Sequence, residues 1–494
     1  MSNTSKYYGE NGVHRVPLWR IGGFALNNTA TNLYLFMMNY VAYYLTGFVG
    51  VAVVTASSFS MMMRIWDGVT DPFIGYIVDK TNGRFGKNRP FMLAGNLILA
   101  ITSFILFHVT HKLPENTAIR FAFFIVIAAI YYIGYTLQCV ATKSAQTCLT
   151  NDPHQRPLFA VFDGVYNTIL FTVMAMLGAA LGTKYGTMAD TGVFHEMWLI
   201  VAGFSFLFTC IAIFSIAPKD TQEFFGTGKP QMISLKDYWD TLKNNRAIQM
   251  LIVSASTDKL ATSAKTSTVT LILFAILAGN YSLQGTMTGM TSIPGLILLI
   301  FFVGGFATRL GQRKAMIIGT WGGIVLNALL ALLWLFGDPT SMNSANGGVN
   351  FGFFTIAYIV LSVALTGFQG ISSNIVIPMT ADCADYEVYR SGKYVPGLMG
   401  TLFSLVDKLV SSFAPLIAGV LFAAIGFKDA MPDVETPYSD ELKYVAVFLA
   451  YGMVILGLIC NVIAMKFYPL TKEYMASIQD KIAEIKANSV KENA

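Results

Sequence analysis

Arg64-Ile65-Trp66-Asp67-Gly68-Val69-Thr70-Asp71-Pro72 sets an arginine and two carboxylates inside an apolar stretch long enough to cross a membrane. An ionisable group near the centre of a bilayer costs roughly 2.5 to 3.5 kcal/mol even on a lenient scale, so such a cluster persists there only when it grips a ligand or is itself gripped. Asp67, Thr70 and Asp71 stand at i, i+3 and i+4, the spacing that puts side chains on one helix face. Carboxylate and hydroxyl oxygens suit sodium or a proton, and Pro72, which lacks an amide hydrogen, frees the carbonyl of Gly68 beside them. That face reads as a cation site, with Thr136 of the fourth apolar stretch as a ligand from outside the helix. The alternative is a packing bridge in which Arg64, one turn before Asp67, neutralises the pair. One arginine cannot neutralise two acids.

The rest of the chain belongs in lipid. Of 494 residues 54% are hydrophobic and 12% charged, with a mean hydropathy of +0.56, whereas a soluble domain carries about 25% charged residues. About twelve apolar runs recur, each near the length a spanning helix needs, which predicts an all-α membrane protein. The polar first seventeen residues lack the apolar core and cleavage site of a removable signal peptide, so the first span is expected to serve as the targeting signal. Lysine and arginine crowd alternate loops, among them Lys80, Arg84, Lys87, Arg89, Arg156, Arg313, Lys314 and Arg390, while the opposite loops hold Lys112, Arg120, Lys184, Lys428 and Lys443. The positive-inside rule then places both termini in the cytoplasm, in a multi-pass protein of an inner or plasma membrane. The net charge of +5 is accounted for by topology and gives no reason to expect nucleic acid. Cys139, Cys148, Cys210, Cys383 and Cys460 show neither metal-ligand spacing nor a paired framework and read as packing residues.

The chain also repeats itself. Gly75, Asp79, Gly83, Arg84, Gly86, Lys87 and Arg89 follow the second apolar run, and Gly305, Arg309, Gly311, Arg313 and Lys314 follow the eighth. A duplicated six-helix unit with this tight basic turn is similar to the major facilitator superfamily, in which two bundles rock about a midplane site. The expected organisation is an N-terminal six-helix bundle over 1–217, a cytoplasmic linker over 218–246, a C-terminal six-helix bundle over 247–468 and a cytoplasmic tail over 469–494. Leu235, Tyr238, Trp239 and Leu242 predict a short surface helix in the linker, and Met475, Ile478, Ile482 and Ile485 another in the tail.

Arg64-Ile-Trp-Asp67 with Asp71-Pro72, Gly75, Arg84-Phe-Gly86-Lys87 and Arg89-Pro90 resembles the signature of the glycoside-pentoside-hexuronide:cation symporters, the family of the melibiose permease. Ala381-Asp382-Cys-Ala-Asp385-Tyr386-Glu387 leading to Asp407-Lys408 resembles the tenth and eleventh helix region of that family. The resemblance implies cotransport of a sugar or glycoside with sodium or a proton by alternating access. Asp67, Asp71 and Thr136 then match cation positions and Lys408 a coupling position, with Arg64 assigned beside it. Thr70 stands where several members carry asparagine, which keeps an oxygen and removes an amide. Thr31 and Cys139 stand where the melibiose permease grips its galactoside with acids, and Asp163-Gly164 stands near its fifth-helix arginine.

The expected bundle interior is instead rich in lysine. Lys143 lies one turn beyond Cys139, Lys259 and Lys265 fall on the seventh helix and Lys408 on the eleventh. Lysines facing a wet cavity attract carboxylates, which points to an acidic saccharide such as a hexuronide or a uronic-acid oligosaccharide. The blander reading pairs them with Asp258, Asp407 or Asp163, and a neutral glycoside or pentoside is the alternative cargo. Asn28, Thr31 and Asn32, with Gln138 and Asn374, are candidates for bonding sugar hydroxyls. Asp79, Arg84, Lys87 and Arg89, with Asp385 and Arg390, are placed at cytoplasmic ends, where ion pairs could latch a gate; solvated loop charge is the plain alternative. No nucleophile elbow, phosphate loop or metal-binding helix motif points to an enzyme. The expected protein is a monomeric symporter with sodium or a proton as coupling ion and no other cofactor. A carrier of an amphipathic lipid and a non-transporting membrane sensor of the same fold are the rivals.

Overall fold

Backbone amides in hydrocarbon must bond within their own segment, which leaves helices as the economical solution for a bundle. The computed structural model describes residues 15–81, 83, 85–150, 155–221, 242–302, 310–344, 348–391, 406–475 and 477–478. Among these the long helices are α1 (Leu18–Met38), α2 (Val53–Lys80), α3 (Arg89–His108), α4 (Thr117–Leu149), α5 (Arg156–Tyr185) and α6 (Thr191–Ile216). The second series is α7 (Arg246–Ser263 and Ser267–Leu277, bent by 50°), α8 (Ser282–Phe302), α9 (Gln312–Phe336), α10 (Phe353–Ser391), α11 (Val406–Ala424) and α12 (Asp440–Phe467). Eight are long and apolar enough to span a bilayer by composition alone, and α7 adds a ninth as a bent pair. The length of α1, α2 and α8 completes the expected twelve among the described residues. Polar side chains on α1 and α2 lower their apolarity, and those are the side chains singled out as candidate ligands.

Local rules set the helix ends. Asn116, Asp190 and Asn245 cap α4, α6 and α7 by accepting from Ile119, Gly192 and Ile248 amides. Proline occupies the first turn of α3 and α5, where its missing amide costs nothing. Where α3 crosses α4, a Cβ added at Gly95 would stand 2.9 Å from the carbonyl of Gly134. Small residues at such crossings let backbones approach, the main source of helix association in lipid.

The duplication is visible in packing. The pairings α1 with α6, α3 with α4, α2 with α4 and α3 with α6 recur as α7 with α12, α9 with α10, α8 with α10 and α9 with α12. Left-handed glycines repeat too: Gly50, Gly86 and Gly186 in the first half, Gly279, Gly311 and Gly426 in the second. Both α1 and α7 lead into a π-helical turn, Leu45–Val49 and Ile272–Leu277. The chain divides into two compact units, Met1–Lys229 with Gly426–Glu435, and Pro230–Ile425 with Thr436–Ala494. The short stretch between α11 and α12 thus belongs to the first unit. There Thr187 donates to Asp433 at 2.5 Å, the Met188 amide to the same carboxylate at 3.1 Å, Tyr43 to the Pro432 carbonyl at 3.0 Å and the Val53 amide to the Lys428 carbonyl at 2.8 Å.

Outward faces carry large apolar side chains that water would not tolerate in such number, Phe336, Phe353 and Leu199 among them. All five cysteines are thiols. In the linker, Leu235, Tyr238 and Trp239 lie outside the described residues, as do Ile482 and Ile485 of the tail. Ile478 is buried and Met475 packs against the core of the second unit.

The turn before α3 is organised by a carboxylate with no place in the sequence reading. Asp220 is fully buried and accepts from the amides of Lys87, Asn88 and Arg89, from Asn88 Nδ2 at 3.0 Å and from Arg89 Nε at 3.4 Å. Gly86, at φ +91°, lies so close that a Cβ would stand 2.2 Å from an Asp220 oxygen. Removing a buried charge partner costs about 3 to 5 kcal/mol. Asp220→Ala should therefore lower the unfolding temperature of the purified protein markedly, and Asp220→Asn, which keeps an accepting oxygen, should lower it less; equal Tm values for wild type and Asp220→Ala would refute this anchoring role.

Candidate functional site

Trp66 fixes the register of the site by donating its indole N–H to the Ala129 carbonyl of α4 at 3.1 Å. Seven residues further along α4, two turns on the same face, Thr136 donates its hydroxyl to Asp67 Oδ1 at 2.9 Å. Thr70 lies 3.2 Å from Thr136, oxygen to oxygen, and 3.1 Å from the Asp67 carbonyl. Asp67, Thr70 and Thr136 are all buried and Asp71 is half-buried. A hydroxyl has one hydrogen and two lone pairs, so with Thr136 spent on Asp67 the threonine pair still presents acceptor oxygens beside the carboxylate. Oxygens of Asp67, Thr70 and Thr136 thus gather at one place, a donor set of the kind that suits a small cation. Arg64 is half-buried one turn before Asp67, and Lys408 is half-buried on α11.

A second polar group lies where α1 and α5 meet. Asn32 donates to Asn167 Oδ1 at 2.8 Å, and Asn28 bonds the carboxylate of Asp163. Each pair is spaced i, i+4 on its own helix, so the four residues form two successive rungs. The other oxygen of Asp163, Oδ1, is buried without a hydrogen-bond partner. Asn167 escaped the sequence reading, and Asp163 entered it as a partner for lysine and as the position near the family's fifth-helix arginine. Their i, i+4 repeat opposite that of Asn28 and Asn32 was the available signal.

Other expected ligands are used differently. Thr31 is buried with its hydroxyl on the Asn27 carbonyl at 3.0 Å, and Gln138 is fully buried with Nε2 on the Met92 carbonyl at 2.8 Å. One bond lies within α1 and the other joins α4 to α3. Lys259 is bridged to Asp407 between α7 and α11, so its charge is cancelled and the blander reading holds for it. Asp258, offered above as a lysine partner, instead bonds Ser372 and Gln369 of α10. Lys265 sits at the break in α7, its ammonium 5.2 Å from the ring centre of Tyr451. Lys143 is exposed and Cys139 half-buried on α4. The side chain of Asn374 lies outside the described residues.

Of the residues expected at a cytoplasmic gate, Arg89 and Arg390 have partners in their own units. Arg89 bonds Asp220, and Arg390 forks onto Glu387 at 2.6 and 3.1 Å while Asn245 donates to the same carboxylate at 2.8 Å. Arg84 and the side chains of Asp79 and Asp385 lie outside the described residues, and Lys87 contributes its backbone amide to Asp220.

Known proteins bear on this geometry. The family described as MFS/sugar transport protein matches residues 23–472. The glucuronide carrier protein homolog of Escherichia coli (strain K12) is 25% identical over 487 residues, covering 94% of this chain and 96% of that protein. The isoprimeverose transporter of Lactiplantibacillus pentosus is 23% identical over 484 residues, covering 96% and 94%. Among solved structures, a mutant of the nucleoside transporter NupG superposes with a TM-score of 0.61 at 14% identity, over 91% of this chain and 100% of that one. A structure of proton-dependent oligopeptide transporters gives 0.60 at 13% identity over 91% and 98%. These structural likenesses speak for the fold.

The Lys259–Asp407 bridge leads to a test of structure against ligand binding. Lys259→Ala strands a buried carboxylate and should destabilise the protein by about 3 kcal/mol, and Lys259→Ala with Asp407→Ala should recover most of that. Unfolding temperatures of both single variants and the double variant check it; additive losses would show that the bridge is not what holds these residues.

Proposed function

The chain belongs to the MFS/sugar transport protein family, and from that premise we propose that it is a secondary symporter that couples entry of sodium or a proton to uptake of a sugar or glycoside. Membership makes it a multi-pass membrane transporter and not an enzyme. The observation that carries the coupling is the oxygen cluster of Asp67, Thr70 and Thr136, with Asp71 one turn further on the same face. A cation there would sit beside a carboxylate that is buried in a membrane span. By linkage, whatever factor the cation adds to sugar affinity, the sugar returns to cation affinity. Arg64 and Lys408 act in this scheme as charges that respond to site occupancy. Both termini, with the segment 218–246, face the cytoplasm.

For the cargo we favour an acidic saccharide. Lys143 is exposed on α4, one turn from Cys139, and a relative carrying the name glucuronide carrier homolog aligns over nearly the whole chain. Asn28 and Asn32 supply amides of the kind that bond sugar hydroxyls. The second reading, a neutral glycoside or pentoside, is favoured by Asp163, whose carboxylate would repel an anionic ligand at the α1–α5 rungs while accepting from hydroxyls. A lipid carrier fits less well with an exposed lysine and paired asparagines, and a sensor would exchange no label across a membrane.

Uptake of a labelled uronide beside a labelled neutral glycoside, with and without a sodium gradient at fixed pH, tests coupling and cargo together. Asp67→Asn and Asp71→Asn should abolish accumulation against a gradient while the protein still inserts. Thr136→Val should raise the half-saturating cation concentration about tenfold, the factor that the loss of a hydrogen bond to a charged group gives, and Thr136→Ser should restore it. Normal uphill uptake by both aspartate variants removes the proposed mechanism.

A further inference from the structure

On the other side of the α1–α5 contact from the polar rungs lies a cavity of about 350 Å³ between α1, α5 and α6, lined by Leu26, Leu33, Tyr166, Ile169, Val173 and Phe204. Its rim opens outward, since Ile169, Val173 and Phe204 are each more than half exposed. A cavity with such walls stays free of water, and unfilled it forfeits contact energy along its whole lining. The helices around it span the bilayer, so the molecules that reach its mouth are lipid chains.

What lies at the end of the groove names the rest of the ligand. On α1, Trp19 precedes Leu26 and Leu33 by one and two heptads and so shares their face. Trp19 is half exposed and leans on Phe214 of α6. The guanidinium of Arg20 sits 4.6 Å from the Trp19 ring and donates one N–H to the Ser215 carbonyl at 2.9 Å. Tryptophan and arginine at a helix end mark the level of the headgroups. From Arg20, the rise of a helix puts Leu26 about 9 Å and Leu33 about 20 Å deeper. One leaflet of hydrocarbon is about 15 Å thick, half the core of a bilayer. The cavity therefore begins below the interface and runs past the depth that an acyl chain anchored there explores.

We propose that this groove is a binding site for one membrane glycerophospholipid, with an acyl chain seated between α1, α5 and α6 and the phosphate held by Arg20 beside Trp19. The acyl chain then fills the space beside the Asn28–Asp163 rung and braces α1 against α5. It is a resident of the fold and not its cargo.

The test uses the full protein in nanodiscs that contain a phosphatidylglycerol with a photoactivatable group on its acyl chain, with cross-links mapped by mass spectrometry. Labelling should concentrate on the groove segments of α1, α5 and α6. Val173→Trp or Ile169→Trp, substitutions at exposed positions that project into the mouth, should lower it about tenfold, the effect of roughly 1.4 kcal/mol of lost contact. Arg20→Gln should weaken competition by unlabelled phosphatidylglycerol without affecting that by diacylglycerol. Label spread evenly over other exposed apolar positions, such as Ile101, Val325 and Ile356, overturns the site. Equal competition by diacylglycerol and phosphatidylglycerol in the wild type overturns the role of Arg20. Neither result depends on which sugar is transported.

Discussion

The cost of a carboxylate in hydrocarbon governs this molecule, and the way each acid is held decides what it can do. Asp407 is met by the ammonium of Lys259, which cancels its charge. Asp220 is met by a ring of backbone amides and side-chain donors that knit the turn before α3. Asp67 accepts from the Thr136 hydroxyl, which orients the carboxylate. Asp163 and Asp258 are likewise held by neutral groups, an asparagine in one case and a serine and glutamine in the other. An acid satisfied by an ammonium is finished; an acid satisfied by hydroxyls or amides still attracts a cation or proton.

Legibility followed the same line. The i, i+3, i+4 spacing in α2, the basic turn that occurs twice and the recurrent apolar runs are local patterns, and a helix turns local spacing directly into a face. The fold class and the grouping of Asp67 with Thr70 could be read that way, and the likeness to known symporters extended it to Thr136. Partnerships between helices were less accessible. Whether Lys259 meets a sugar or Asp407, and whether Gln138 meets a ligand or the Met92 carbonyl, depends on how the helices are rotated and how closely they approach. That approach is set at crossings such as Gly95 against Gly134, where missing side chains, which carry no pattern of their own, do the positioning. Asp220 was missed for a related reason: it lies far along the chain from the three amides it binds, and nothing near it in sequence announces them.

Duplication adds a physical point about α1 and α7. Each opens its unit, each runs into a π-helical turn and then a left-handed glycine, and each packs chiefly on the last helix of its own unit. They have nevertheless diverged in how they manage polarity. The second is broken by 50° at Ala264-Lys265-Thr266 and carries Asp258 and Lys259 next to each other. The first runs unbroken through Asn27, Asn28, Thr31 and Asn32. An unbroken helix with that many amides needs partners along its length, and it finds them in Thr142 on α4 and in Asp163 and Asn167 on α5.

Such a helix has two unlike sides, and this is what connects the polar rungs to the apolar groove. At 3.6 residues per turn Asn28 and Asn32 lie close together in angle, while Leu26 and Leu33 fall well round the cylinder from them. The seam with α5 lies between the two. Movement of α1 that strengthens the rungs must alter the groove, because a rigid helix cannot rotate one side alone. Anything that occupies the groove therefore biases the rungs, and anything that engages the rungs biases the groove by the same free energy, as linkage requires. The bilayer beside α5 and α6 is in that sense part of the polar site, even though no lipid atom would touch the ligand.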